Sequence, residues 1–586
     1  MKKNHFGFCL FTIFFTIVLF SCSDTSSSSP SVTEYPDRTD GSWLIIVHLG
    51  IDNNIDYEFE EQYGIMSNYV ETLESLEAND TEEMLDIVVM MDCYNTDTQG
   101  TGYTSAFQDG WYHLSGGSFS DDLVTSKTEI NSGDPLSSQS FMDWALTAVP
   151  DADYFVYSVF NHGSGFDDIN EAGTYGIAFD DDGSNDSLSH SELGQLTAYL
   201  KSKIGKNIDL FFPYACLMGG VELAYEIKDS VDFLVFSEEL FPAERWSWEA
   251  FDIILERPGI SGANLGSAIC TSAYNYFSNP GIDREFTLAT IDLSKITPLV
   301  SALNSFASNA DTYIGLDESR AALFDVCAYY SLAMNTLYYN DLKLFMSNVG
   351  YLIPSFSSYS TSVLNALDRA VIFYEFHGIN YSYCGGLSIF HNLWVLQSGY
   401  NYEYPVSTYE TILDFGTDTS WGTYLQTLDD LNILVHDNYE PDDNFTSAKS
   451  ITVGAEPQYH TFDIPGESDY MSVNLTEGQT YTIQTYPATI PYADTYLTLY
   501  DSSETSLVEN DDINVADGNY FSKVIFTPSI SDTYYIECTD YYDYLGDYTI
   551  DIRAGSYSLN PEDYSFTKPT RKRTKIDSTA LFDINE

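Results

Sequence analysis

Two apolar runs that stop at reactive side chains constrain this chain more than any other feature. Tyr154 to Phe160 runs into Asn161-His162-Gly163-Ser164-Gly165, and Ile208 to Phe212 runs into Pro213-Tyr214-Ala215-Cys216-Leu217-Met218. Unbroken apolar runs of this length fit strands buried on both faces, the habit of a parallel sheet. In such a sheet ligands bind beyond the carboxyl ends of the strands. A His and a Cys ending neighbouring strands therefore meet over one crevice. A sulfur nucleophile with an imidazole to manage its proton is the minimum apparatus for thiol catalysis. By default a strand-end Cys is a packed core residue and a strand-end His a structural one. Three features favour the reactive reading. Cys216 sits at a rim, a helix is expected just after it whose N-terminus would lower the thiol pKa, and Gly163 next to His162 lets backbone lie close to a substrate. His377-Gly378, after the apolar run Val371 to Phe376, is the competing His.

The flanking sequence supplies the rest of a sheet. Trp43 to Leu49 reads as a buried strand turned over by Gly50 and Asp52-Asn53-Asn54. Phe59, Tyr63, Met66, Val70 and Leu73 follow at helical spacing, and Met84 to Met91 is a second strand. Strand, helix, strand at this length is a βαβ unit, so the sheet is expected to be mainly parallel and flanked by helices. Residues 95–140 predict a small hairpin around Trp111-Tyr112-His113, and Phe141 to Val149 a helix. The stretch from Phe166 to Leu188 is an acidic loop without Lys or Arg. Ser189 and Glu192 form a capping box ahead of Leu193, Leu196, Leu200 and Ile204 on one helical face. Gly219-Gly220 opens a helix through Lys228. Val231 to Phe236, Thr287 to Asp292 and Gly385 to Phe390 read as further strands, and most of 250–380 as helix. From Asp437 onward, short Thr/Tyr/Val runs alternate with Gly and Asp turns, the pattern of a small all-β sandwich.

His162-Gly163-Ser164-Gly165 after one strand and Ala215-Cys216-Leu217-Met218 after the next resemble the clostripain family of cysteine peptidases, in the caspase-like group. Trp43 to Asn54, Ser237-Glu238-Glu239 and Gly386-Leu387-Ser388-Ile389 support the resemblance, which spans 41–435. The His-to-Cys separation is close to the roughly 50 residues of caspases. The resemblance implies hydrolysis of proteins or peptides, with Cys216 as nucleophile, His162 as general base and acid, and the Gly163 and Cys216 amides as oxyanion hole. It implies no cofactor for the chemistry. Members usually carry Asp two residues before the catalytic Cys, in the pocket that favours Arg or Lys; here Tyr214 stands there. A Tyr offers no charge to a guanidinium, which puts the basic-residue preference in question unless Glu238, Glu239 or Glu244 substitutes. In relatives, self-cleavage after a basic residue between His and Cys can accompany maturation. Here the nearest candidates, Lys201, Lys203 and Lys206, fall on or beside a predicted helix, so an uncut chain is expected. Residues 440–553 resemble the bacterial pre-peptidase C-terminal domain, through Glu440-Pro441-Asp442-Asp443-Asn444, Asp469-Tyr470, Gly478, Leu499-Tyr500-Asp501 and Asn510-Asp511-Asp512. The altered pocket also admits a second function, a catalytically weak surface scaffold that binds host or envelope ligands.

The ends and the charge set the surroundings. Lys2 and Lys3 precede the apolar run Phe6 to Phe20, and Leu19-Phe20-Ser21-Cys22 reads as a bacterial lipoprotein signal with Cys22 acylated. The run is shorter than the roughly 20 residues a membrane span needs. Residues 23–40 are then a Ser-rich tether, and the protein is expected in the cell envelope, held to a membrane by lipid. Residues 554–586 are a tail with basic residues. With 88 acidic against 23 basic residues the net charge is −65, which excludes the basic footprint of a nucleic-acid binder. Acidic loops at Asp180-Asp181-Asp182-Gly183 and Asn510-Asp511-Asp512 are candidate Ca²⁺ sites. Neither has full ligand spacing, and solvated carboxylates are their default. The six cysteines of the mature chain beyond Cys22 include no CxxC pair, so no metal cluster is indicated.

Overall fold

A nine-stranded sheet carries the first three quarters of the chain. Its strands come from β1 (Trp43–Ile51), β2 (Leu85–Cys93), β3 (Gly110–His113), β4 (Leu123–Ser126), β5 (Tyr154–Phe160), β8 (Ile208–Tyr214), β9 (Val231–Phe236), β10 (Phe286–Asp292) and β12 (Val371–His377). The numbering leaves room for two small ribbons, β6 (Ile177–Asp180) with β7 (Asp186–Leu188), and β11 (Tyr339–Asp341) with β13 (Ser388–Phe390). The order across the sheet is β12-β10-β9-β8-β5-β1-β2-β3-β4. The central strands β9, β8, β5, β1 and β2 run parallel, and antiparallel pairs close both edges. This is the α/β, caspase-like architecture expected from the apolar runs. The structure is a computed structural model. It describes residues 35–556 apart from 61–63, 95–104, 166–175, 182–185, 243–247, 316–317, 330, 332–338, 392–408, 410–411, 432–436, 438, 440, 463–466, 488–493, 512, 514–520 and 542–545. The signal, Cys22 and most of the tether therefore lie outside the described residues, as does nearly all of the tail. Among the described residues, no helix is long and apolar enough to cross a membrane.

Both faces of the sheet are covered, which is why its central strands are apolar without alternation. On one face Leu44, Ile46, Val159 and Phe211 pack with the helices Pro135–Ala148, His190–Ile204 and Ile296–Ile314. On the other, Ile45, Val47, Val156 and Phe212 pack with the helices Ile65–Asn79 and Gly262–Phe277. The capping box exists as read: Ser189 Oγ accepts from Glu192 N–H, the Glu192 carboxylate accepts from Ser189 N–H, and Gly205 closes the helix in the left-handed region at φ 75°. Elsewhere the boundaries move. The helix expected from Phe141 starts at Pro135, because Asp134 caps it and Pro135 occupies its first turn. The helix expected from Phe59 onward is interrupted, with a π-helical turn at Ile55–Glu60 and the α-helix from Ile65. The late strand is shorter than read and joins β11 instead of the main sheet.

Beyond residue 448, strands from Lys449–Ser450 to Gly546–Ala554 form a five-stranded and a four-stranded sheet. Met471, Ile483, Leu497, Leu499, Ile536 and Ile550 fill a common core between them, the layered all-β arrangement that the alternating runs predict.

Candidate active site

β5 and β8 lie side by side and in parallel, with Phe160 opposite Tyr214. His162 and Cys216 each follow their strand by two residues, so equal overshoot brings them to the same rim. Both side chains are half-buried. The two segments touch through backbone: a Cβ added at Gly163 would lie 2.2 Å from the Cys216 carbonyl oxygen and 3.1 Å from the Cys216 nitrogen. Only a glycine permits that approach. After the cysteine the chain turns sharply, with Leu217 in the left-handed region at φ 58°. A branched side chain there costs roughly 1–2 kcal/mol; the turn is braced by the Leu217 N–H donating to the Glu239 carbonyl at 3.1 Å.

The imidazole is oriented by Asn54, whose Oδ1 lies 2.6 Å from His162 Nε2. With the amide oxygen facing the ring, Nε2 carries the proton and Nδ1 is the basic nitrogen of the neutral tautomer. Asn54 follows β1, the strand next to β5 on the side away from β8. The sulfur is engaged by Phe241, whose N–H donates to Cys216 Sγ at 3.3 Å, with the Phe241 carbonyl 3.7 Å from Sγ. Sequence reasoning singled out neither Asn54 nor Phe241. Asn54 was visible only as part of a turn, and Phe241 had no local signal.

Burial decides the protonation of the pair. It pushes the Cys216 thiol above its ordinary pKa, with the Glu239 carboxylate adding to the rise and the Phe241 amide opposing it. Burial likewise holds the His162 imidazole below its ordinary value. Both directions favour the neutral forms, a thiol and an uncharged imidazole, and run against the lowering of the thiol expected from a following helix. The following helix, Val221–Ile227, begins five residues after Cys216 and is too short to dominate the apolar surroundings.

The pocket residues read from the resemblance, Tyr214, Glu238 and Glu239, are all buried. Tyr214 is 6% exposed. Its ring packs at 5.1 Å from Phe160, 5.4 Å from Phe212, 5.3 Å from Phe241 and 5.9 Å from Tyr69, centroid to centroid. It is a core side chain. Glu238 and Glu239 are both buried. Burial and the neighbouring Asp341 carboxyl keep Glu238 protonated well above the usual range, while Glu239 Oε1 accepts from Leu240 N–H at 2.7 Å. Both lie in the interior, and Glu244 lies outside the described residues. His377 stands on β12 at the far edge of the sheet, with Asp283 Oδ1 2.9 Å from its Nε2.

Of the acidic loops, Asp180 gathers with Asp52 and Glu129 instead of with its own neighbours: one carboxylate oxygen of each lies within 4.8 Å of the others. Asp181 donates its N–H to the Asp52 carbonyl, and Asp182 and Gly183 lie outside the described residues. In the second loop Asn510 Oδ1 accepts from Lys523 N–H at 2.7 Å, and Asp512 lies outside the described residues.

A sequence model of the C11 peptidases, described as the clostripain family, matches residues 60–428. The chain belongs to the clostripain family. It is a cysteine peptidase of that family, whose members use no cofactor for bond cleavage. Similar solved structures include a secreted C11 cysteine protease from Bacteroides thetaiotaomicron in complex with an irreversible peptide inhibitor, 16% identical, covering 65% of this chain and 100% of that one with a TM-score of 0.45. An inactive zymogen C11 protease from Parabacteroides distasonis is 14% identical over 65% of this chain and 99% of its own, also at 0.45. The pre-peptidase C-terminal domain of a Bacillus anthracis collagenase is 12% identical over 18% of this chain and 93% of its own, at 0.15. Family membership rests on the sequence model and not on these likenesses. A search of curated proteins found no match.

Proposed function

We propose that this clostripain-family peptidase is an exported, lipid-anchored endopeptidase working through a Cys216–His162 dyad, without the family's preference for Arg or Lys before the scissile bond. The observation that carries the dyad is the contact of the Gly163 backbone, next to His162, with that of Cys216, close enough to exclude a Cβ. Because thiol and imidazole rest neutral, the proton moves when substrate arrives. His162 takes the Sγ proton as the sulfur attacks the peptide carbonyl carbon, and the C–N bond breaks as the imidazolium returns that proton to the leaving amine. His162 then activates a water to hydrolyse the acyl-enzyme. The Gly163 and Cys216 amides serve as donors to the oxyanion, where charge develops in the transition state. Asn54 keeps the ring in one tautomer throughout, and substrate replaces Phe241 at the sulfur.

The loss of the basic preference follows from Tyr214. The position that would carry a charge for a guanidinium is filled by an aromatic ring packed among four others. Residues 41–435 would form the catalytic unit and 440–553 the sandwich, with lipid on Cys22 holding both at a membrane.

The test is to incubate the soluble form starting at Ser23 with a diverse peptide mixture, beside Cys216→Ala, and map the cuts by mass spectrometry. Cuts that vanish in the variant and are not enriched after Arg or Lys support the proposal. Enrichment after basic residues overturns the specificity argument. Absence of Cys216-dependent cuts moves the reading to a binding scaffold.

A further inference from the structure

Two buried acids that the dyad chemistry does not use lie against the chain segment that follows Cys216. Glu238 comes two residues after β9, and Asp341 closes β11. The backbone at Glu238 presses on the turn after the nucleophile: a Cβ on Gly219 would lie 2.6 Å from both the Glu238 Cα and its nitrogen. The next residue, Glu239, accepts the Leu217 N–H on its carbonyl. The β11–β13 ribbon closes on the same segment, because Ser388 of β13 donates its N–H at 2.9 Å and its hydroxyl at 3.0 Å to the Gly219 carbonyl. The ribbon also reaches the His162 segment. A Cβ on Gly165 would meet the Tyr339 hydroxyl of β11 and, at 2.9 Å, the Leu217 carbonyl. One small ribbon thus touches both segments that carry the dyad, and Asp341 joins it to the turn after β9 through Glu238.

Local donors decide which acid keeps a proton. Asp341 caps the 11-residue helix Leu342–Leu352, its Oδ1 accepting from Leu344 N–H at 2.7 Å, and its Oδ2 accepts from Gly385 N–H at 2.6 Å. Two amide donors and a helix N-terminus favour the ionised form. Glu238 has no such support: among the described residues neither of its buried oxygens accepts a hydrogen bond of normal geometry. Ionised, it would be a buried carboxylate without a donor beside a second negative charge. Glu238 therefore carries the proton and donates it to Asp341. Burial and then Asp341 push its pKa well above the carboxylate range, with Glu239 adding to the rise and the Gly386 N–H opposing it. Burial raises Asp341 too, but the Gly385 and Leu344 amides, the Glu238 hydrogen bond and the Lys343 charge pull it back. The other titratable neighbours, Tyr374 of β12 and Cys384 ahead of β13, are held neutral by burial and by the two acids.

We propose that Glu238 and Asp341 are positioning residues for the nucleophile: a proton held on Glu238 and shared with Asp341 ties the turn behind Cys216 to the β11–β13 ribbon and so fixes the spacing of Cys216 from His162. Neither acid takes part in bond cleavage. Ionising Glu238 replaces the shared hydrogen bond with repulsion between two buried carboxylates. The backbone held against Gly219 and Leu217 then loosens, and the dyad loses its spacing. Cutting falls on the alkaline side, where the Cys216 thiol alone would become a better nucleophile. The effect on cutting rests on the Cys216 peptidase reading, whereas the shared proton does not.

The test compares wild type, Glu238→Gln and Glu238→Ala, as chains starting at Ser23, by kcat and KM on a peptide whose cleavage depends on Cys216. The pH runs from near neutral to alkaline, with unfolding temperature read at each pH. Gln keeps a donor for Asp341 but has no proton to lose. Glu238→Ala is expected to lower kcat roughly 10- to 100-fold with little change in KM. Glu238→Gln recovers most of that loss, and its profile lacks the alkaline fall of wild type. A raised carboxyl pKa means that the native protein holds the proton and the penalty grows as pH rises, so the unfolding temperature of wild type drops relative to Glu238→Gln along the same series. An alkaline fall that persists in Glu238→Gln, or a Gln variant as impaired as Ala, overturns the proposal. If Glu238→Ala fails to fold, the profile of Glu238→Gln still decides. A wild type that cuts nothing counts against the peptidase reading, and the unfolding series then judges the pair by itself: a gap that opens with pH supports the shared proton, and a constant gap overturns it.

Discussion

Replacing Gly163 by Ala probes the contact on which the dyad depends. The new Cβ would lie 2.2 Å from the Cys216 oxygen and 2.9 Å from the Ala215 Cβ. Attractive contacts between such atoms begin near 3.5 Å, so the His162 and Cys216 segments must part by about 1 Å. A displacement of that size at reacting groups costs roughly 10²-fold in rate, and the overpacking costs about 1–3 kcal/mol in stability. The assay is kcat/KM on a peptide whose cleavage depends on Cys216, with a urea melt alongside. Gly205→Ala is the control. Gly205 also has no side chain to lose, but nothing lies within 4 Å of an added Cβ and its φ is 75°. It should cost about 1 kcal/mol at the helix C-terminus through backbone conformation alone, with the rate unchanged. A folded Gly163→Ala within threefold of wild-type kcat/KM would refute the reasoning, because the segments would then not need their present spacing.

Other substitutions and conditions test separate parts of the account. Tyr214→Ala should cost about 3–5 kcal/mol in a urea melt, and Tyr214→Asp more, without drawing cuts toward Arg or Lys; a stable Tyr214→Asp that cuts after basic residues would contradict the core placement. Alkylation of Cys216 by iodoacetamide should stay slow through neutral pH and accelerate only as pH climbs past the ordinary thiol range, since burial raises its pKa; rapid labelling at pH 6 would contradict the neutral resting pair. Glu222, fully buried with Oε1 accepting from Phe390 N–H and Tyr409 Oη–H, has its pKa raised from 4.5 to about 7 by burial. A folded-state value above the unfolded one means the native protein holds the proton between them. The penalty therefore develops as pH rises from 4.5 and is complete above 7. Relative to Glu222→Gln, wild type should lose roughly 3 kcal/mol between pH 4 and pH 8, read from urea melts at each pH. Intact mass after export should give one chain: Lys201 and Lys203 lie in a capped helix, and Lys206 Nζ is bound by the Asp153 carbonyl and Asp209.

What the sequence made legible is what two strand ends determine. Unbroken apolar runs identified β1, β5 and β8; β8 continues past the apolar run to Tyr214, and that extension makes the overshoot to His162 and Cys216 equal, with Phe160 and Tyr214 in register. Asn54 was not legible because its role depends on β1 lying beside β5, and strand order is written in no local pattern. The acidic cluster escaped for the same reason. Spacing rules examine Asp180 with Asp181 and Asp182, whereas the fold assembles Asp180 with Asp52 and Glu129, more than a hundred residues of chain apart at the extreme.

Tyr214 is different, because its placement was available from parity alone. Side chains two apart on a strand share a face, so Phe212, Tyr214 and the emerging Cys216 all turn toward the same layer, where Phe241 and Phe277 already pack. The ring therefore belongs to the same apolar layer that Cys216 packs against. That placement has two consequences. It puts an aromatic ring at the position two before Cys216, and it adds apolar surface to the layer toward which Cys216 turns, where burial raises the thiol pKa. In the same apolar setting the imidazole loses basicity as the thiol loses acidity. An ion pair between them is disfavoured twice over until a substrate carbonyl arrives to take the developing charge. In the dyad proposed above, an idle nucleophile stays protonated, and its reactivity follows substrate binding more than bulk pH.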